Sequence, residues 1–153
     1  MKKTLGLMII LLSIGVTSFA QTEKAEKGEN ESKEKLVVPA AVKSALVQKY
    51  PAASKVTWEK EKGNYEANWG GKSGEDVSVM FTPSGQFIEV VNAITTSQLP
   101  APVTAYVKTH YKGAKITEAG KVTDAKGTIT YEAEVNRKDV IFDEKGNFVK
   151  VEN

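Results

Sequence analysis

The sequence has no cysteine and only one histidine among its 153 residues. Without cysteine it can form no disulfide, zinc–thiolate site, iron–sulfur cluster or thiol nucleophile. A single histidine excludes metal sites that need several imidazoles and catalysis by a pair of histidines. The sequence also lacks a Gly-x-Ser-x-Gly elbow, a phosphate-binding loop and a metal-binding helix motif. These absences predict a protein that is not an enzyme and that uses no cofactor and no metal.

The sequence has little excess charge, and the small excess lies at its N-terminus. It contains 21 Lys+Arg and 19 Asp+Glu, a formal net charge of +2. Lys2 and Lys3 precede an apolar segment, Leu5–Val16, and Ser18 and Ala20 supply small residues at positions −3 and −1 of a cleavage site. This layout is typical of a secretory signal peptide. We predict that residues 1–20 are a signal peptide cleaved after Ala20 and that the protein is periplasmic or secreted.

The alternative for this segment is an N-terminal membrane anchor. A membrane-spanning helix needs roughly 20 apolar residues, and the apolar segment is shorter than that. No membrane span is therefore expected once the signal peptide has been removed.

The predicted mature chain is electrically balanced. Removing Lys2 and Lys3 from the 21 basic residues leaves 19, which equals the number of acidic residues. A nucleic-acid partner is not expected, because no excess of basic side chains remains to neutralise phosphates. Residues 21–35 contain five Glu and four Lys and almost no apolar residue. They predict a disordered charged tether, and a short helix with Glu–Lys pairs is the alternative.

The remaining chain contains one pattern twice, at an offset of 61 residues. Residues 38–50 (VPAAVKSALVQKY) correspond to 99–111 (LPAPVTAYVKTHY), and 78–90 (SVMFTPSGQFIEV) correspond to 139–151 (DVIFDEKGNFVKV). Two blocks that share one offset in the same order indicate duplication, whereas chance similarity between two α+β segments is the alternative. We predict a first repeat over residues 36–93 and a second over residues 94–153.

Each repeat is predicted to be a helix followed by a four-stranded antiparallel meander. Pro39 and Pro100 suit a first helical turn, Thr96 or Ser97 is a candidate N-cap of the second helix, and His110 is predicted to be a surface residue of its last turn. Alternating apolar residues and Gly-containing turns then predict the strands. The fold class is therefore α+β, with the helices packed on one face of the sheet. The predicted strands are 55–61, 64–70, 76–82, 86–92, 115–124, 128–137, 138–143 and 147–152.

Alternation along the strands separates two faces of the sheet. Tyr65, Ala67, Val79 and Phe81, with their counterparts in the second repeat, are predicted to pack under the helices. The opposite face is uncovered and mixes polar with apolar residues, which is typical of a solvated or partner-binding sheet. The candidate partner-binding residues are Trp58, Glu66, Asn68, Met80, Glu132, Glu134 and Ile141.

Two groups of these residues leave alternatives open. Trp58 has Glu118 as its counterpart in the second repeat, so the shared architecture does not require an aromatic residue there. It either fills the core beside Val56 or forms an exposed anchor for a partner. Glu66, Glu132 and Glu134 either bind a cation or are solvated side chains that keep the face soluble. Residues 143–147 lack the alternating ligands of a calcium loop and predict a hairpin turn.

The sequence resembles a known family over residues 36–153. The resemblance is carried by Val38-Pro39, Tyr50-Pro51, Val56-Thr57-Trp58-Glu59, Gly63-Asn64-Tyr65-Glu66-Ala67, Val79-Met80-Phe81 and Gly85-Gln86-Phe87, which follow a signal peptide. It is similar to the PepSY-like, β-lactamase-inhibitor-like proteins, which are exported proteins of Bacteroidetes-type bacteria. The resemblance implies a tandem α+β structure. β-Lactamase inhibitory proteins of similar topology bind an enzyme through a concave sheet.

These observations together predict an exported, non-enzymatic binding or inhibitor-like protein. Its uncovered sheet face is expected to bind a periplasmic or extracellular protein or peptide. The alternative is a periplasmic module that binds a small ligand or a divalent cation.

Overall fold

The computed structural model of the protein describes residues 36–152, so the predicted signal peptide (1–20) and tether (21–35) lie outside the described residues. Along the described chain, a helix followed by four strands occurs twice, which gives an α+β fold. The elements are α1 (Ala40–Lys49), β1 (Thr57–Glu61), β2 (Asn64–Trp69), β3 (Val77–Phe81), β4 (Phe87–Ala93), α2 (Ala101–His110), β5 (Ile116–Asp124), β6 (Ile129–Val135), β7 (Lys138–Asp143) and β8 (Phe148–Glu152).

The predicted helices and strands are all present, and the differences at their ends have local causes. β1 starts after Lys55, whose φ of 55° takes the chain out of the extended region. β6 ends before Asn136 and Arg137, whose φ values of 54° and 64° form the tight turn into β7. Such positive φ values interrupt the extended backbone that a strand requires.

The predicted N-cap of the second helix is wrong. Thr96 and Ser97 lie in a short 3₁₀ turn, Thr96–Gln98, that precedes the helix. Leu99 then has extended backbone angles, and Pro100 occupies the N-cap position of α2. The helix therefore begins after the proline, and Pro39 takes the same position before α1.

All eight strands form a single antiparallel sheet in the order of the chain. The two halves are joined by the pairing of β4 with β5, in which Val91 lies opposite Val122. The sheet therefore has one continuous uncovered face.

The two helices cover the other face, and each packs over its own half of the sheet. Alternate residues of a strand share a face, so the strand side chains buried under α1 and α2 follow the predicted alternation, and β5 adds Ala119, which was not among the predicted core residues. The first core contains Val38, Val42, Leu46, Tyr65, Ala67, Val79 and Phe81, and the second contains Leu99, Val103, Val107, Ala119, Ala133, Val135, Val140 and Phe142.

In both halves, a hairpin turn between the last two strands touches the start of the helix. Gly85 has a φ of 84°, and a Cβ at this position would lie 2.7 Å from the backbone oxygen of Ala41. Gly146 has a φ of 83°, and its Cβ would lie 3.1 Å from Pro100 Cβ. In this second turn the backbone N–H of Asn147 donates to Asp143 Oδ1 at 2.8 Å. Residues 143–147 therefore form the predicted hairpin turn.

Candidate functional site

Two β-bulges bend the sheet at corresponding positions. Met80 pairs with Glu89 but Phe81 pairs with Phe87, which leaves Ile88 as an extra residue in β4. In β8 the register shifts in the same way and leaves Val149 as the extra residue. A bulge bends its strand and increases the local twist. Ile88 and Val149 both reach the uncovered face, where they line one hollow.

This hollow, the concave cavity, has a volume of about 330 Å³. Each of the eight strands contributes at least one side chain, so the sheet curves around the cavity. The lining residues are Glu61, Lys62, Asn64, Met80, Ile88, Glu89, Val122, Thr130, Glu132, Ile141, Val149, Lys150 and Glu152.

The curvature buries side chains that no helix covers. Met80 and Ile141 are buried in the floor of the cavity, and the carboxyl-bearing Glu66 and Glu132 are only 7% and 6% exposed. The prediction that acidic side chains of this face are solvated is therefore wrong for Glu66 and Glu132. A flat sheet would have exposed both, whereas a curved sheet folds neighbouring side chains over them.

Burial changes the acid–base chemistry of this face. Loss of water, together with the nearby carboxylates of Asp139 and Glu89, raises the pKa of Glu132 to about 8. Burial likewise raises the pKa of Glu61 to about 7 and that of Asp139 to about 6. The ionised form of each carboxyl group is disfavoured because it has lost water and lies near like charges.

The two sides of the cavity each carry a lysine–glutamate pair. Lys62 Nζ lies 3.7 Å from Glu61 Oε1 at the end of β1, and Lys150 pairs with Glu152 Oε1 in β8. Glu152 is 7% exposed. Over residues 36–152, its second oxygen, Oε2, is a buried side-chain atom with no hydrogen-bond partner.

The predicted site residues fall into three places. Met80, Glu132 and Ile141 line the concave cavity. Glu66 and Asn68 lie beside it in an adjoining hollow, where Ser78 Oγ donates a hydrogen bond to Glu66 Oε1. Glu134 is set apart from the cavity lining, and its carboxylate accepts a hydrogen bond from Thr117 Oγ1.

Trp58 lies on the opposite, helix-covered face, where it is half-buried against the first core. It therefore does not share a surface with the other six candidates. The strand register also corrects its counterpart in the second half. Trp58 pairs with Ala67, and the equivalent Ala133 pairs with Ala119 rather than Glu118. The position of Trp58 is therefore taken in the second half by Ala119, a buried residue of the second core.

Sequence analysis missed the acidic and basic groups at the two sides of the cavity: Glu61, Glu89, Lys150 and Glu152. A signal for close packing was present at Gly120, because an interior strand glycine marks a close approach. A Cβ at Gly120 would lie 2.9 Å from Val91 Cγ1 and 3.6 Å from Glu132 Oε2. The missing side chain makes room for Glu132.

His110 is exposed at the end of α2, and its ring stacks on Tyr106 with a centroid distance of 3.9 Å. It is therefore a surface residue, as predicted. Across the part of the chain that the structure describes, no three or more His, Cys, Asp or Glu residues are grouped to hold a metal ion. Neither helix within residues 36–152 is long and apolar enough to cross a membrane.

Two helices on one face of an eight-stranded antiparallel meander define an α+β protein with β-lactamase-inhibitor-like structural relatives. A BLIP-like protein from Bacteroides fragilis superposes with a TM-score of 0.60 at 20% identity, covering 78% of this chain and 88% of its own. A DUF2874 family protein from Bacteroides uniformis superposes with a TM-score of 0.64 at 24% identity, covering 75% of this chain and 88% of its own. A protein from Bacteroides eggerthii that is described as periplasmic superposes with a TM-score of 0.66 at 22% identity, covering 76% of this chain and 89% of its own.

The chain belongs to the PepSY-like family. The family model described as "Putative beta-lactamase-inhibitor-like, PepSY-like" matches residues 24–89 and again residues 72–150. This confirms the resemblance found in the sequence. A search of curated proteins found no match. At these identities the structural likeness establishes the fold, and none of the three descriptions names an enzymatic activity.

Proposed function

We propose that this protein is an exported, non-enzymatic binding module that holds a protein or peptide partner on its concave sheet face. The observation that carries the proposal is the cavity formed by all eight strands on the face that the helices leave uncovered. Export is supported by the signal-peptide pattern of residues 1–20 and by the periplasmic description of the Bacteroides eggerthii relative.

The shape of the face suits insertion of one or two side chains from a partner. Apolar residues form the floor of the cavity, and charged residues stand at two of its sides. Binding energy in protein interfaces concentrates where a side chain fills a desolvated pocket surrounded by polar contacts. The exposed bulge residue Val149 extends the apolar surface from the cavity to the edge strand β8.

Selection from a random peptide display library tests this function. The purified protein is expected to enrich a peptide family, and Val149→Asp is expected to reduce its retention at least tenfold. Val149 is exposed, so this change should not disturb folding. Ile141→Asp is a second variant, placed in the cavity floor.

Val47→Asp is the matched control, because Val47 is equally apolar and exposed but lies on the outer side of α1. It should retain the selected peptides. Peptides that bind all three variants equally would overturn the assignment of the concave face.

A small organic ligand is the second candidate, and the cavity volume favours it. A volume of about 330 Å³ falls at the lower end of the range typical of ligand pockets. A thermal-shift screen of metabolites would support this candidate if stabilisation disappears in Ile141→Asp. If the ligand is a divalent cation, Glu66 and Glu132 are its candidate ligating residues because they border a shared hollow, whereas Glu134 does not border it. Calorimetry with Ca²⁺ that shows no heat would exclude that form.

A further inference from the structure

We propose that the concave cavity binds the ammonium group and aliphatic chain of a lysine side chain presented by the partner. This inference rests on the proposed function and specifies the chemistry of the partner. It combines four properties of one cavity: its charge, an unsatisfied buried oxygen, its apolar floor and its own lysine.

The charged groups of the cavity leave room for an additional cation. Four carboxyl groups line it, those of Glu61, Glu89, Glu132 and Glu152. Only two ammonium groups, those of Lys62 and Lys150, accompany them in the lining. Because Glu132 is protonated at neutral pH, an incoming ammonium would gain this carboxylate by displacing its proton, and the acidic excess is complete only above about pH 8.

Glu152 supplies a specific acceptor for that cation. Its side chain is more than nine-tenths buried and lines the cavity. Oε1 pairs with Lys150, whereas Oε2 is buried and has no hydrogen-bond partner within residues 36–152. A buried acceptor without a partner costs free energy. An ammonium group, with three donors, would satisfy this oxygen and still contact a second carboxylate.

The floor of the cavity matches the aliphatic part of a lysine. Met80, Val122 and Ile141 supply apolar surface from the alternate strands β3, β5 and β7, and the bulge residues Ile88 and Val149 extend it. Lysine buries its methylene chain against apolar surface while its charged end reaches a polar group. A metal ion or a small inorganic cation would leave this apolar surface exposed to water.

Lys150 shows how such a group would be held. Its ammonium already pairs with Glu152, two residues along the same edge strand β8, but its side chain is about half exposed (53%). It is therefore an internal competitor for the same carboxylate. The chain's own residues 21–35 do not provide a cationic alternative, because their five Glu outnumber their four Lys.

Protonation of the cavity should be coupled to this binding. The raised pKa of Glu132 means that its carboxyl group carries a proton at neutral pH, and an adjacent ammonium would lower that pKa and release the proton. Binding should therefore strengthen as the pH rises from 6 to 9. The charged groups around Glu132 are Asp139, Glu89, Glu152, Glu66 and Lys150.

Titration of the exported protein with N-acetyl-lysine-N′-methylamide, followed by NMR, tests the inference. A dissociation constant on the order of 1 mM is expected for a ligand of this size. The largest shifts should fall on Met80, Val122, Ile141 and Val149. The norleucine analogue, which lacks the charge, should bind at least tenfold more weakly. Equal binding of the two analogues, or shifts confined to another surface, would overturn the inference.

Two variants and one control locate the contact. Glu152→Gln keeps the size of the side chain and should weaken binding of the lysine analogue about tenfold. Glu144→Gln, in the exposed β7–β8 turn, should leave it unchanged. Lys150→Met removes the internal competitor and should strengthen binding several-fold, whereas weaker binding would contradict the competition.

The peptide selection separates this inference from the proposed function. Peptides that require the concave face and lose retention when lysine is replaced by norleucine would support both. Peptides that require the face but tolerate that replacement would leave the proposed function standing and overturn the inference. Binding of the lysine analogue without any selected peptide would support the cavity chemistry and count against a peptide partner.

Discussion

Glu132 illustrates how the curvature of a sheet alters one side chain. It lies on the strand face that faces away from both helices, yet it is 6% exposed. The glycine opposite it in β5, Gly120, leaves space for its side chain, and Asp139 and Glu89 are close enough to add like charge. A carboxylate in this place loses water without gaining a compensating cation. The neutral form is therefore the stable one at neutral pH.

This protonation makes the free energy of unfolding depend on pH. The folded-state pKa of Glu132, about 8, lies above the ordinary value of a glutamate carboxyl group, 4.5. The folded state therefore binds more protons between these pH values, and stability falls as the pH rises through this window. Each pKa unit corresponds to about 1.4 kcal/mol. Glu132→Gln cannot ionise, so it should be more stable than the wild type at pH 9 by roughly 2–4 kcal/mol.

Urea unfolding of both proteins at pH 4.5 and pH 9 measures this effect. The variant and the wild type should have similar stability at pH 4.5 and differ at pH 9. Glu144→Gln, an exposed residue, should follow the wild type at both pH values. A wild-type stability that rises between pH 5 and pH 8 would contradict the pKa shift.

Apart from Trp58, sequence reasoning assigned the candidate residues to the correct face of the sheet, but it did not predict their burial. The alternation of residues placed Glu66, Met80, Glu132 and Ile141 opposite the helices, as the strand register shows. Their burial could not be predicted, because it depends on long-range curvature. The bulges that cause it also break the alternation: Ile88 and Val149 are extra residues that no two-residue period can assign.

At the scale of elements, each hairpin turn before the last strand of a repeat is fixed by the helix it touches. The β3–β4 turn requires a residue with positive φ at Gly85, and the backbone of α1 leaves no room there for a side chain. Thr82 Oγ1 accepts the backbone N–H of Gln86 in this turn, as Asp143 accepts that of Asn147 in the other. The contact between this turn and the start of a helix therefore positions α1 against the sheet in the first half and α2 in the second.

Gly85→Ala should destabilise the protein through two effects. A left-handed φ of 84° costs an alanine about 1–2 kcal/mol. The added Cβ would also lie 2.7 Å from Ala41 O, so backbone must shift. We expect a total loss of roughly 2–4 kcal/mol, measured by urea unfolding.

Gly63→Ala is the matched control for this change. Gly63 has a φ of 85° in the β1–β2 turn, but a Cβ there would have nothing within 4 Å. Its replacement should show the conformational cost alone, about 1–2 kcal/mol. Equal losses for the two variants would show that the contact with α1 does not constrain the turn.

Elements with strong local signals were predictable, and the start of α2 was not. Pro39, Pro100 and the apolar spacing located both helices, and glycine-containing turns located the strands. Thr96 and Ser97 are good N-cap residue types, but residues 96–98 form a separate 3₁₀ turn. The choice between two adjacent starts is made by packing of Leu99 in the second core, which the local sequence does not encode.

At the scale of the whole molecule, the two helix-covered cores share one sheet. β4 and β5 join the halves by a regular antiparallel pairing from Glu89–Asp124 to Ala93–Gly120. Separation of the halves would expose these backbone groups and the side chains beside them. Small domains with such continuous hydrogen bonding usually unfold in one cooperative step.

Phe142→Ala tests this cooperativity. Phe142 is fully buried in the second core, and its loss should cost roughly 3–5 kcal/mol. Both tryptophans, Trp58 and Trp69, pack against the first core. If the sheet unfolds as one unit, the tryptophan fluorescence midpoint should fall by the same amount as the circular dichroism midpoint.

The same experiment has a clear contrary result. An unchanged fluorescence midpoint beside a lowered circular dichroism midpoint would show that the two halves unfold independently. Phe81→Ala is the corresponding change in the first core, where Phe81 is also fully buried. It should lower the fluorescence midpoint whether or not the halves are coupled, because both tryptophans pack against the first core. Phe142→Ala is therefore the decisive variant.

The two halves of the protein resemble each other more closely on the helix-covered face of the sheet than on the concave face. This difference gives the concave face two distinguishable ends. Under the helices, three fully buried pairs of corresponding positions hold the same residues: Val42 and Val103, Val79 and Val140, Phe81 and Phe142. On the opposite face Glu66 and Glu132 also correspond, but three other pairs hold unlike residues: Ser78 and Asp139, Glu89 and Lys150, Val91 and Glu152. A chain lying across the strands from β1 to β8 would therefore meet different groups at its two ends. Reversing that chain would exchange those contacts, so a complex on this face would have a single polarity.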